Sequence, residues 1–371
     1  MTRSVRPGYR QRRTPHYWQR EGAAICGQLS SRSGQIERRW SGGGLTVAFM
    51  IVTRRQFAFM GAAGVAALLA ACGRDSGVED TGTQQVSSDV GTTEIPIDPQ
   101  RIVAIDFYSP SALIDLGITP AAVASTFDDA PDVPEPYRSV LQGLPKVGDY
   151  LEPSAEKILA AAPDLIVTVS ETQENDPEFF AKLQATAPTI GFASHDWDAW
   201  KVRSRGLGQI LGRADKVSAL EDEYNSRIET FRTSNADVLE NTTVAFVFFD
   251  AANSRFGYYP STIWQTAILG EAGFQFTERS KNLGGKVEWL PKEQLEVMSD
   301  VDVIFTTVQE SGNIAELLKG DTLFERLPAV QNGLVFIQKN EAVSSFGWAL
   351  TYLDQLQPFA DKIRAAKLTP R

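Results

Sequence analysis

The sequence predicts an α/β protein built as two similar lobes joined by one long helix. Three observations carry that expectation. Apolar, strand-like runs alternate with helical patterns; one helix–strand unit recurs a domain-length later; and an amphipathic stretch free of Gly and Pro lies between the two copies.

RIVAI (101–105) is a short apolar run followed by the helical pattern PSALIDLGI, and DLIVTV (164–169) and TIGF (189–192) are further strands, each after a helix. Such alternation argues for mostly parallel strands with helical crossovers. PSAEKILAAAPDLIVTV (153–169) and LPKEQLEVMSDVDVIFTTV (290–308) each hold a Pro, a Glu-Lys or Glu-Gln pair opening an amphipathic helix, an Asp and a buried strand. Asp164 and Asp302 align at an offset of 138 residues, while the spacing from glutamate to aspartate differs by one. An offset of domain size favours two similar lobes. Between the copies, Val217, Leu220, Tyr224, Ile228 and Phe231 fall at helical spacing, and no Gly or Pro occurs from Arg213 to Arg255. The spacing predicts a rod of roughly five or six turns at 3.6 residues each.

The N-terminal part reads differently. Arg54 and Arg55 precede an uncharged run from Phe57 to Ala71, shorter than the roughly 20 residues that span a bilayer. A charged start, a short apolar middle and small residues at the end read as an export signal. The Arg pair resembles a twin-arginine signal, although the run suits general secretion as well. Leu69-Ala70-Ala71-Cys72 resembles a bacterial lipobox, which implies lipidation of Cys72. Residues 1–55 hold 11 Arg, no Lys and only Glu21 and Glu37 as acids. A signal works at an N-terminus, so Met50 is the expected start, residues 1–49 an over-extended, disordered reading frame and residues 50–71 the signal peptide. Gly73–Glu94, rich in Gly, Ser, Thr and Asp, reads as flexible, making 72–94 a tether. The remaining boundaries are a first lobe at 95–212, the linking helix at 213–236 and a second lobe at 237–371.

Beyond residue 55 the chain carries 25 basic and 44 acidic residues. That balance argues against nucleic acid as a partner yet leaves room for an anionic ligand in a local basic pocket. Cys72 is the sole cysteine after the signal, so no intrachain disulfide forms. His195 is the sole histidine there, which argues against a bare divalent-metal site. No G-x-S-x-G elbow, P-loop or H-E-x-x-H occurs, and no enzyme is expected.

The stretches RIVAIDFYSPSALIDLGITPAAVAS, LPKVGDYLEPSAEKILAAAPDLIV and LPAVQNGLVFI resemble the ferric-siderophore and cobalamin group of periplasmic substrate-binding proteins of ABC importers, over most of residues 95–365. The resemblance implies two Rossmann-like lobes joined by one long helix, a ligand cleft between them and limited hinge motion. It implies a monomeric, extracytoplasmic lipoprotein, anchored to the cell membrane through Cys72. That protein takes up an Fe(III)-siderophore, with no resident cofactor, and delivers it to an ABC permease and its ATPase. It further implies permease docking through one glutamate per lobe. Glu156 and Glu293 match those positions; Glu152 and Glu288 are the nearest rivals.

Ligands of open α/β sheets bind beyond the carboxyl ends of the strands. The loops there hold Phe107 and Tyr108, Ser170 and Thr172, then His195, Trp197 and Trp200. Further on come Arg255, Phe256, Tyr258 and Tyr259, then Arg279, Lys281 and Asn282, and finally Phe346 and Trp348. Rings suit the flat faces of a large chelate, and cations suit its charge. Phe107, Tyr108, Trp197, Arg255, Tyr258, Arg279 and Trp348 form the expected ligand set, and His195 is a candidate axial ligand for haem or iron. Capture of haem or cobalamin, or a surface sensor without transport, are the alternative readings.

Overall fold

The structure is a computed structural model that describes residues 82–129, 133–194, 198–307, 312–339 and 342–368. Its first described element corrects the sequence reading. Residues given above to a flexible tether form a hairpin, β1 (Thr83–Ser88) and β2 (Gly91–Pro96). Gly91 closes its turn at φ 111°, a conformation that glycine adopts at little cost. The polar composition of the tether concealed one buried anchor, Val86, which is joined in the hairpin by Ile95 at the start of the first lobe.

The hairpin lies against the edge of the N-terminal sheet. β3 (Ile102–Ala104) leads into α1 (Ser109–Asp115), β4 (Ala122–Val123) and α2 (Glu135–Leu141). A small hairpin, β5 (Gly148–Asp149) with β6 (Glu152–Pro153), turns into α3 (Ala155–Ala160) and β7 (Leu165–Val169). α4 (Pro177–Thr186) and β8 (Thr189–Phe192) follow. The strand order is β4-β3-β7-β8, all parallel. Val103, Ile105, Ile158, Ile166 and Phe180 build its core. At the open edge, Asp89 N–H donates to Gly191 O at 3.0 Å and Thr93 Oγ1 to Thr189 O at 3.1 Å. Covering an edge in this way blunts its tendency to pair with other chains.

α5 (Ala199–Ile210) then meets α6 (Ala214–Ser234), the linking helix. Its buried stripe is Val217, Tyr224, Ile228 and Phe231, the stripe that the spacing predicts, with Leu220 half-buried beside it.

The C-terminal lobe is a mixed sheet. β9 (Thr243–Asp250) and β10 (Arg255–Tyr258) are antiparallel; α7 (Trp264–Glu271) and β11 (Gln275–Phe276) follow, then β12 (Glu288–Pro291), β13 (Val303–Thr307) and β14 (Val335–Gln338). The order is β12-β10-β9-β13-β14, with β11 also paired to β9. The two lobes repeat one device. Arg101 N–H donates to Asp164 Oδ1 and Thr243 N–H to Asp302 Oδ2, each at 2.9 Å. Each aspartate thus ties the start of its strand to the neighbouring strand. The helix of the second copy, Lys292–Met298, is a 3₁₀ helix broken at Gln294.

The chain crosses between the lobes a second time. α8 (Phe346–Leu353), in the range assigned to the second lobe, packs on α1, α5 and α6. Ser344 Oγ meets Ser111 Oγ at 2.7 Å, and Gly347 N–H donates to Asp115 Oδ2 at 2.8 Å. A Cβ on Gly347 would lie 2.4 Å from Tyr137 Oη and 2.5 Å from Asp115 Oδ1, so a larger residue would displace both side chains. α9 (Leu356–Leu368) returns to the second lobe, where Phe359 stacks on Phe336 with centroids 4.6 Å apart. Among the described residues no helix is long and apolar enough to cross a membrane.

Candidate functional site

At the carboxyl ends of the N-terminal strands a polar group lies beneath a half-buried ring. Asp106 follows β3, and its Oδ1 accepts from the amides of Tyr108 at 2.7 Å and Ser109 at 2.6 Å. α5 sends Arg203 into the same place. Its side chain is 1% exposed, and its guanidinium carbon lies 4.9 Å from the centroid of the Tyr108 ring. Nη2 donates to Ala193 O at 3.4 Å, while Nε and Nη1 have no hydrogen-bond partner, nor have Asp106 Oδ2 and Ser109 Oγ. Burial pushes the Asp106 carboxyl above its ordinary value despite the attraction of Arg203. Burial likewise pulls Arg203 below its own, against Asp106, Tyr108, Glu171 and Asp89. Each shift is toward the uncharged form, so desolvation outweighs the mutual attraction of the pair. Buried polar atoms without partners are rare and ask for an explanation.

Two carboxylates hold the loop after β8. Glu171, opening the short helix Glu171–Asn175, accepts from Ser194 N–H at 2.7 Å and Ser194 Oγ at 3.0 Å. Asp89, at the hairpin tip, accepts from Ala193 N–H at 2.7 Å.

In the second lobe, alternation along the strands separates two faces. Phe256, Tyr258 and Leu290 point into the core. Arg255, Tyr259 and Trp289 are half-buried, as is Phe248. Phe248 and Trp289 flank Gly257 in register, and their rings meet edge to face at 6.1 Å. The Arg255 guanidinium lies 4.2 Å from the Trp289 centroid, and its Nε donates to Asp250 at 2.9 Å. Burial alone would raise the Asp250 carboxyl; hydrogen bonds from Asn253 and Arg255 hold it below the usual value.

The remaining predicted residues fall in several places. Tyr108 and Arg255 sit in these two groups. Phe107 is buried, stacked on Phe127 at 5.5 Å and edge-on to Trp348 at 6.1 Å. Trp348 is wholly buried and stacks on Tyr137 at 5.7 Å; it belongs to the seam between α8 and the first lobe rather than to a ligand surface. Phe346 lies in that seam too, 5.0 Å from Trp200. Tyr258 is a core residue bonded to Thr277 Oγ1 at 2.8 Å. Arg279 binds Glu288 at 2.5 Å; Glu288 pairs with Tyr258 in the β10–β12 register, three rungs from Arg255. The structure therefore does not gather Arg279 with Arg255. Glu156, Glu293 and Glu152 are exposed. Cys72, His195 and Trp197 lie outside the described residues.

Arg203 and the Phe248–Trp289 pair are absent from the sequence-based set. Their signals were present. Arg203 falls on the buried stripe of α5 with Trp200, Ser204 and Leu207, and a charge on such a stripe needs a reason. Strand alternation puts Arg255 and Gly257 opposite Phe256 and Tyr258.

Among the described residues no three His, Cys, Asp or Glu side chains are placed to hold a metal ion. A concavity of about 530 Å³ between β2 and the α4–β8 turn is lined by Thr93, Glu94, Gln184 and Thr189. It opens at the start of β8, the opposite end of that strand from Ala193, and no ring enters it.

Comparison with known proteins identifies the family. A profile of the periplasmic binding protein family matches residues 102–342. The probable siderophore-binding lipoprotein YfiY of Bacillus subtilis is 28% identical over 272 residues, 70% of this chain and 81% of that protein. The Fe(3+) dicitrate-binding periplasmic protein FecB of Escherichia coli is 24% identical, covering 71% of this chain and 83% of its own. Among solved structures, the siderophore periplasmic binding protein from the fuscachelin gene cluster of Thermobifida fusca superposes with a TM-score of 0.61 at 27% identity, over 72% of this chain and 98% of that one. A periplasmic solute binding protein of Mycobacterium smegmatis, at 22% identity, shares the fold with a TM-score of 0.64 over 76% and 99% of the two chains. The profile spans more than half of the sequence and both lobes, and the chain belongs to the periplasmic binding protein family.

Proposed function

We propose that the protein captures an anionic ferric chelate outside the cytoplasm and hands it to an ABC-type permease. The observation that carries this reading is a guanidinium laid against a ring in each lobe: Arg203 at Tyr108 and Arg255 at Trp289, 4.9 and 4.2 Å from the ring centroids. A siderophore complex of Fe(III) is large, flat-faced and often negatively charged. Rings cover its faces and arginines answer its charge. The unpartnered Nε and Nη1 of Arg203 supply donors that an oxygen of the chelate would satisfy. The names of the relatives, which bind siderophores or ferric citrate, support the same class. Glu156 and Glu293, exposed near the starts of equivalent helices, are the proposed contacts with permease arginines. A lipid on Cys72 would hold a monomer at the membrane near that permease.

Quenching of tryptophan fluorescence by ferric dicitrate, a ferric tricatecholate and a ferric trihydroxamate tests the reading. Saturation by one of them, without response to its iron-free form, is expected. Saturation by haem or cobalamin instead would replace it, and silence toward all five would leave transport of chelates without support.

A further inference from the structure

Glu271, the last residue of α7, gathers donors from two other parts of the molecule. Lys201 Nζ donates to its Oε1 at 2.7 Å and its Oε2 at 2.8 Å. Tyr224 Oη donates to Oε2 at 2.7 Å. Lys201 belongs to the first lobe, Tyr224 to the middle of the linking helix, and Glu271 to the second lobe. The pair is sheltered, with side chains 13% and 25% exposed. Lys201 Nζ also lies 5.2 Å from the Trp200 ring centroid and 5.0 Å from that of Tyr224, over the aromatic contact that Trp200, Tyr224 and Phe346 make.

Two features set this contact apart from an ordinary ion pair. A carboxylate at the last residue of a helix faces the negative end of the helix dipole, so nothing in α7 itself favours Glu271. Among the described residues its side-chain donors come from the other lobe and from the linker. Lys201 also stands two residues before Arg203 on α5, so whatever fixes Lys201 fixes the helix that carries the cation beneath Tyr108.

We propose that Glu271 is a positioning residue: by bracing α5 and α6 against α7 it sets the angle between the lobes at which the ligand is held, and hence how long the ligand stays. This rests on the chelate-binding reading for its ligand, though not for its geometry. The linking helix resists bending but offers little against twisting about its axis, and the second crossing, through α8, packs on α1, α5 and α6. Charge-assisted hydrogen bonds to a bidentate carboxylate, placed beside that axis, add a restraint from α7 on that twist. Closing motions of binding proteins run through such element-terminal residues.

Glu271→Gln keeps the shape and removes the charge; Tyr224→Phe removes one hydroxyl and leaves the core. Nitroxides at Leu159→Cys and Leu323→Cys, both exposed and one per lobe, report the interlobe distance in the full chain with Cys26→Ser and Cys72→Ser. The wild type should give a narrow distribution, and Glu271→Gln a broadened one. The exchange Lys201→Glu with Glu271→Lys should narrow it again. Stopped-flow release of ferric dicitrate, or of the catecholate or hydroxamate chelate that saturates the wild type, should be about tenfold faster in Glu271→Gln with little change in association. Unchanged distance and release in both single variants overturn the brace. A broadened distribution in a protein that binds none of the chelates upholds the brace and sinks the chelate reading instead.

Discussion

The guanidinium carbon of Arg255 lies 4.2 Å from the centroid of the Trp289 ring while Asp250 holds its Nε at 2.9 Å. The carboxylate fixes one side of the fork and the ring fixes its plane, leaving the other nitrogens available to an anion. Arg255→Ala should weaken the binding of the ferric chelate by about tenfold or more, since a stacked, oriented guanidinium gives bidentate contacts that water does not replace. Arg255→Lys should not restore it, because an ammonium lacks the planar fork. Folding should lose no more than about 1 kcal/mol, as the arginine side chain is 42% exposed and such pairs contribute little. Fluorescence titration beside urea unfolding separates the two effects.

Asp106 makes stability depend on pH in an unusual direction. Burial raises its folded pKa above 3.8, and Asp115 is raised by the same cause. A carboxyl raised on folding contributes stability that is complete below its unfolded pKa and is lost as the pH climbs through the folded value. Glu221 and Asp250 are shifted the other way and lose their contribution as the pH falls through their lowered values. The melting temperature should therefore hold or rise as pH is lowered from 7 toward the ordinary carboxylate range, and fall only below it. Asp106→Asn keeps an oxygen for the Tyr108 and Ser109 amides and removes the buried charge. It should melt higher than the wild type at pH 7, with the gap closing as the pH is lowered. A gap that widens on acidification would refute the assignment. The same variant should bind the anionic chelate more tightly, because Arg203 loses its neighbouring negative charge.

Much of the architecture was legible because it rests on periodicity. TIGF and the run from Leu165 to Val169 are strands where their apolar residues place them, and the first half of the Gly- and Pro-free stretch is the long helix. The alignment of Asp164 with Asp302 proved to be a shared hydrogen-bonding role. Illegible parts depend on contacts remote in sequence. Nothing local to Phe346–Leu353 says that it packs against the first lobe; Asp115, Tyr137 and Ser111 create that seam from more than 200 residues away. Aromatic residues after strands look alike in sequence whether they face solvent or core. Tyr258 and Tyr259 are neighbours, yet only the former is buried in the core, because one step along a strand reverses the side.

Trp348 allows the strength of that seam to be measured. It is wholly buried against Phe107 and Tyr137, so Trp348→Ala should cost about 3–5 kcal/mol, the usual range for removing a large buried ring. Melting should drop by on the order of 10 °C for a chain of this size. The fraction that stays folded should bind the ferric chelate nearly as well as the wild type. A loss of affinity without a loss of stability would return Trp348 to the ligand site.

The hairpin gives the last test. Ile95 is wholly buried, and Asp89 reaches from the turn to the amide of Ala193, where the N-terminal strands end. A tether would tolerate any polar residue at position 89. As part of the folded lobe, Ile95→Ala should cost about 2–4 kcal/mol in urea unfolding, the range for truncating a buried isoleucine. Asp89→Ala should cost about 1 kcal/mol, that of one hydrogen bond. Its clearer signature is local. The Ala193 amide loses its acceptor while Glu171 still holds Ser194, so hydrogen exchange should quicken at Ala193 more than at Ser194. Equal protection in the variant and the wild type would mean that the hairpin covers the sheet edge without shaping the loop beyond it.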